Sequence, residues 1–104
     1  MILYHITKKR YVKKISYEGI KPGKDGSIWL VGQNTLQDML PMLYPSSYDL
    51  FIVKIDIPKD KIFGVCRSLY GEYGVTKKKI FLKEYRVRKT IPVESIISID
   101  EYEF

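Results

Sequence analysis

Residues 1–19, MILYHITKKRYVKKISYEG, decide how the rest of this chain is read, because the apolar pattern changes period halfway through them. Ile2, Leu3, Tyr4 and Ile6 are apolar and β-prone, so residues 2–6 read as a strand. Beyond it Tyr11, Val12 and Ile15 recur at helical spacing with lysines on the other face, and Gly19 stands where a left-handed helix end belongs. Thr7 lies between the two elements, and its hydroxyl suits an N-cap, accepting a hydrogen bond from an otherwise unpaired N–H of the first turn. The opening unit is therefore a strand feeding a short amphipathic helix, and it carries the chain's single histidine, His5, inside the strand. A histidine satisfied within a half-buried strand is one reading of that residue; a pocket histidine is the other.

Outward from this unit, "IKPGKDG" is a turn, and "SIWLV" is an apolar run short enough to be a buried strand. Asn34 can cap a second helix with Leu36, Met39, Leu40 and Leu43 at helical spacing, which Pro41 should end or kink after about two turns. "LFIVKIDI", ending before Pro58, is the clearest strand of the chain. The stretch 60–79 mixes β-prone residues with three glycines and reads as irregular backbone or a short hairpin. "KIFLKEYRVR" reads as a strand with a bulge near Lys83–Glu84, and "SIISIDEY" as a last strand. The order β-α-β-α-β-β-β implies an α+β fold over residues 1–104 as one domain, with a compact, largely antiparallel split sheet and two short helices.

Composition narrows the function. The chain has 104 residues, 45% of them hydrophobic, enough for one core. One cysteine, Cys66, cannot form an intramolecular disulfide. With no leader pattern at the start, a cytoplasmic location is expected. Apolar runs stay well short of the roughly 18 residues that cross a bilayer. The net charge of +6 is uneven: residues 8–24 and residues 77–89 each hold seven Lys/Arg against one glutamate. Two basic segments on an acidic remainder can form a footprint for phosphates; a solvated lysine-rich surface is the plainer reading. Cys66 has no second histidine or adjacent acid to activate it, and no cluster of metal-ligating residues is present in the sequence.

Several of these pieces together resemble the ADP-ribosyltransferase-like superfamily, which includes RNA 2′-phosphotransferases, DNA-modifying toxin transferases and diphtheria-toxin-type enzymes. The matching features are "YHIT" in the first strand, "ISYEGIKP" at the helix end, "SIWLV" leading into a helix, and "EYRVRKTIPVESI" late in the chain. They cover roughly residues 2–31 and 80–99. The resemblance implies NAD as substrate, with His5 at its ribose, Thr7 near the same cleft, and Glu84 as the acidic residue beside the nicotinamide ribose. Glu84 and His5 are then the catalytic candidates. Trp29 becomes pocket wall, Tyr44 (or Tyr48, Tyr70 or Tyr73) a stacking partner for nicotinamide or adenine, and Arg86, with Arg10 and Arg67, a holder of the pyrophosphate. The chemistry is consistent with these residue types, because breaking the N-glycosidic bond develops positive charge on the ribose, which a carboxylate stabilises.

The same residues support other roles. Glu84, near Lys83 and Arg86, can form a cross-strand ion pair instead. The chain as a whole can serve as a non-catalytic module that binds a nucleotide or nucleic acid through segments 8–24 and 77–89, or as a small inhibitor directed at a host machine, on the same fold. The acceptor of a transferred ADP-ribosyl group, protein or nucleic acid, is left open by the sequence.

Overall fold

The computed structural model describes residues 1–43, 49–73 and 78–102. Its strands form one antiparallel six-stranded sheet in an α+β fold with two helices. In chain order these are β1 (Ile2–Lys8), α1 (Lys9–Glu18), β2 (Ile28–Val31), α2 (Gln33–Leu43), β3 (Leu50–Asp56), β4 (Ile62–Tyr73), β5 (Lys78–Val87) and β6 (Ile96–Glu101). Across the sheet they run β4-β5-β2-β1-β3-β6.

Alternation along the strands divides the core between the two faces of the sheet, since successive side chains point opposite ways. Leu3 of β1, Ile28 and Leu30 of β2, Val53 and Ile55 of β3 and Val87 of β5 face one side and are packed with Ile15 of α1 and with Ile20, Ile57 and Ile91. Tyr4 and Ile6, Val31, and Leu50 and Ile52 face the other side under Leu36, Met39 and Leu40 of α2. Each helix thus covers one face, and the α1 face holds the fully buried Leu30, Val53 and Ile55.

The strands form one continuous sheet rather than the split sheet expected, since a β1–β2 pair joins its halves, but its middle is thin. β1 pairs with β3 along its whole length, from Ile2 opposite Asp56 to Lys8 opposite Leu50. β2 pairs with β5 from Ile28 opposite Val87 to Val31 opposite Glu84. Between these two halves, β1 and β2 are registered at one pair alone, Tyr4 opposite Val31.

Several local expectations are corrected. Thr7 is not a helix cap: β1 continues through it, pairing it with Phe51, and it is buried, so the cap position passes to Lys8. Strand pairing outweighs a single capping bond here. α2 starts at Gln33 rather than after Asn34, with the Leu36 N–H donating to the Gly32 carbonyl at 3.0 Å. It also runs past Pro41, which lies inside its last turn, so the helix is longer than two turns. Of the two readings of residues 60–79, irregular backbone fails and the hairpin is longer than expected: residues 62–73 form β4, paired with β5, and this adds a strand to the expected order. The bulges fall between Ile62 and Gly64 and between Leu69 and Gly71 of β4, rather than at Lys83–Glu84. No described helix is long and apolar enough to cross a membrane.

Candidate functional site

The antiparallel register set by Tyr4 opposite Val31 would next pair His5 with Leu30 and Ile6 with Trp29, and neither pair forms. The two strands diverge, and the imidazole of His5 occupies the opening. Its Nδ1 lies 3.3 Å from the Trp29 carbonyl oxygen. A carbonyl only accepts, so Nδ1 carries the proton and donates, which leaves Nε2 as a free acceptor. Burial holds the pKa of this imidazole below its ordinary value, against the smaller opposing effect of the bond to Trp29, so the ring is neutral at pH 7.

Two cavities meet at this histidine. On the α2 face a cleft of about 190 Å³ is lined by Tyr4, His5, Ile6, Trp29, Val31, Met39 and Glu84. On the α1 face a cavity of about 440 Å³ is lined by His5, Ile6 and Thr7 of β1, Tyr11, Lys14 and Ile15 of α1, and Gly19 to Lys21 with Gly23. His5 and Ile6 border both cavities.

Glu84 reaches the α2-face cleft from β5, where its cross-strand neighbours are Val31 and Cys66. Neither is charged, so the cross-strand ion pair is not what this strand position provides. Desolvation raises the pKa of its carboxyl. A carboxylate in a partly desolvated cleft is suited to stabilising positive charge that develops on a ligand.

Trp29 enters the same cleft from β2 and is fixed from behind. Arg86, opposite it on β5, places its guanidinium 4.6 Å from the indole centroid and 4.9 Å from that of Phe63, and Arg88 lies 4.0 Å from Phe63. One Arg86 Nη2–H donates to the Ser27 hydroxyl at 3.0 Å, while its buried Nε has no partner. Asp25 completes the arrangement: one oxygen accepts from the Ser27 N–H at 3.0 Å and the other from the Trp29 indole N–H at 3.1 Å.

The structure therefore brings His5, Trp29 and Glu84, from three strands, to one cleft, and places Thr7 in the adjoining cavity. Arg86 stacks against Trp29 instead of lining either cavity. Tyr44 and Tyr48 lie outside the described residues, and Tyr70 and Tyr73 lie in β4. Met39, Lys14 and Lys21 line these cavities without having been singled out; helical spacing marked Met39 as core, and only its face of α2 links it to the cleft. Among the described residues, no group of three His, Cys, Asp or Glu is placed to hold a metal. No protein-family model matches the chain, and no significantly similar sequence is found among curated proteins.

The neutral, buried His5 gives a pH-dependent stability whose sign is fixed. Because its pKa is lowered from 6.5 on folding, the unfolded chain binds the proton more tightly. Stability is then fully present above pH 6.5 and is lost as the pH falls toward the depressed folded value. Urea unfolding of the wild type at pH 5 and pH 7.5 is expected to show the lower midpoint at pH 5, and His5→Gln should narrow that difference. An unchanged difference in the variant would assign the acid loss to other groups.

Proposed function

We propose that this protein transfers the ADP-ribosyl group of NAD to a protein or nucleic-acid acceptor. The observation that carries this reading is the divergence of β1 and β2 beyond Tyr4 and Val31, which opens a cleft where His5, Trp29 and Glu84 converge. The α1-face cavity by itself falls within the roughly 300–1,000 Å³ of ordinary small-molecule sites, and His5 borders both it and the cleft.

In this reading the nicotinamide riboside occupies the α2-face cleft. Its flat ring lies against Trp29, and a ribose hydroxyl donates to the free Nε2 of His5. The C1′–N bond breaks with its electron pair leaving on the nicotinamide nitrogen, so neutral nicotinamide departs. The Glu84 carboxylate stabilises the positive charge that grows on the ribose. The acceptor then attacks C1′, and its proton passes to Glu84. The pyrophosphate and adenosine lie toward the α1-face cavity on the other side of His5, where Lys14 and Lys21, which share Glu18 at 4.0 and 3.8 Å, leave a net positive charge and Thr7 supplies a hydroxyl. That assignment leaves Arg86 free for its stacking position behind Trp29.

The alternative, a non-catalytic binding module, draws on the same α1 surface, where Tyr11 is exposed beside Lys14 and Lys21 at the cavity mouth. The two readings part in one experiment. Amide NMR titrations with NAD, with ADP-ribose and with a short single-stranded oligonucleotide are run side by side, followed by an assay for released nicotinamide. Saturable NAD shifts at His5, Trp29 and Glu84 with nicotinamide release support the transferase. Shifts caused by the oligonucleotide alone, confined to residues 8–24 and 77–89, overturn it in favour of binding.

A further inference from the structure

Trp29 is the chain's single tryptophan, and it forms a wall of the cleft. A tryptophan on a short four-residue strand beside an open seam has no ladder on its β1 side to restrain it. Yet its indole is held at several points: at its N–H by Asp25, and across its face by Arg86. Those two residues are linked in turn through Ser27, which donates its N–H to Asp25 and accepts from Arg86 with its hydroxyl. The Phe63 ring also lies against the guanidinium. The result is a ring of contacts from the 23–27 turn, β2, β4 and β5 around one indole.

The cost of this arrangement indicates that it is specific. The Nε of Arg86 is buried and unpartnered, which an exposed arginine free to choose its rotamer would avoid. Its guanidinium carbon instead lies 4.6 Å from the Trp29 ring centroid and 4.9 Å from that of Phe63, and a planar guanidinium can stack on aromatic faces in a way that a lysine ammonium does not reproduce. Ser27, the hydroxyl that holds it there, is itself buried.

We propose that Asp25, Ser27 and Arg86 are positioning residues that lock the indole of Trp29 as a preset stacking wall, so that the cleft selects a flat heteroaromatic ring. The wall's ligand rests on reading the cleft as an NAD site; the locking itself rests only on the contacts around Trp29. Arg86 thereby acts through Trp29 and is not a pyrophosphate ligand.

The test uses the full chain and the fluorescence of its single tryptophan. Asp25→Ala and Arg86→Gln are compared with the wild type, with Arg86→Lys as the variant that keeps the charge and loses the planar fork. In the absence of ligand, both main variants should show faster indole motion in time-resolved anisotropy and stronger acrylamide quenching. Arg86→Lys should resemble Arg86→Gln, because plane rather than charge holds the ring. With NAD, KM should rise about ten- to a hundredfold while kcat changes little, since a misplaced wall weakens ring binding without touching Glu84. Indole motion and quenching unchanged in both variants would overturn the lock, as would a loosened indole with an unchanged KM in an active enzyme. Loosened indoles in a protein whose wild type neither binds nor cleaves NAD would uphold the lock and overturn the transferase reading. Circular dichroism on each variant confirms that the fold is intact, and Ser27→Ala supplies an independent break in the ring should one variant fail to fold.

Discussion

Glu84→Gln is expected to lower the rate of nicotinamide release from NAD by about 10²–10³-fold, the range seen when one preorganised electrostatic stabiliser is removed from a reacting centre. The substitution keeps size and hydrogen-bonding capacity and removes only the charge, so KM should move far less than kcat. The same change should leave the protein at least as stable at pH 7. Burial raises the pKa of this carboxyl above its ordinary 4.5, so its folding contribution is present below pH 4.5 and is lost as the pH rises through the raised value. At neutral pH the wild type therefore carries a partly desolvated charge that glutamine lacks. A thermal melt at pH 7 should show a Tm for Glu84→Gln equal to or above that of the wild type, and the gap should close toward pH 4. In turnover, the acid limb of kcat should sit above the ordinary glutamate value and vanish in the residual activity of the variant. Undiminished nicotinamide release by Glu84→Gln would remove the carboxylate from the mechanism. A large fall in Tm would mean that the charge is structural.

Which parts of this arrangement were legible in the sequence depends on the range of the interaction. β3 was legible because "LFIVKIDI" is β-prone throughout and bounded by proline, and the end of α1 because a glycine stood one residue past the last helical position. The β4–β5 hairpin was not, and its glycines explain why. Gly64 and Gly71 sit where the register shifts, so residues that weaken a strand in a local reading are the ones that accommodate the bulges. The placement of Thr7 was decided by pairing with Phe51, a partner more than 40 residues away in the sequence, against a purely local capping preference.

The site divides in the same way. His5 drew notice as a polar residue inside an apolar strand, whereas Glu84 and the pocket role of Trp29 entered through the family resemblance. Asp25, Ser27 and Phe63 did neither. "KPGKDGS" read as a turn, and the Asp25 bond to the Ser27 N–H is ordinary turn chemistry. The other carboxylate oxygen reaches Trp29 only because the turn folds back on the strand that follows it. The contact between Phe63 and Arg86 depends on hairpin register, since a shift by one residue would send one of them to the opposite face.

The largest stability loss is expected at Gly19. Its φ is +77°, a conformation that costs a residue with a Cβ about 1–2 kcal/mol. A Cβ there would also lie only 2.1 Å from the Ile91 carbonyl oxygen. That oxygen is not free to move, because it accepts the Ile20 N–H at 2.9 Å while the Ile91 N–H donates back to Ile20 at 2.8 Å. This reciprocal bridge ties the segment after α1 to the segment after β5, and Ile20 and Ile91 are both buried in the core. Gly19→Ala must therefore break the bridge or shift α1, adding about 1–3 kcal/mol of overpacking to the backbone strain. The combined loss of about 2–5 kcal/mol corresponds to a fall in Tm of roughly 8–40 °C for a domain of this size. Gly26 separates the two causes, since its φ is +75° but a Cβ there meets nothing within 4 Å. Gly26→Ala should lose only the backbone part, and Gly26→Asn, with a residue more tolerant of positive φ, less still. If Gly19→Ala and Gly26→Ala melted alike, the clash with Ile91 would not control stability. Gly19 also lines the α1-face cavity beside Thr7, Lys14 and Lys21. A Gly19→Ala protein assayed below its lowered Tm should therefore bind ADP-ribose more weakly, whereas Gly26→Ala, outside that lining, should lose stability without that loss of affinity.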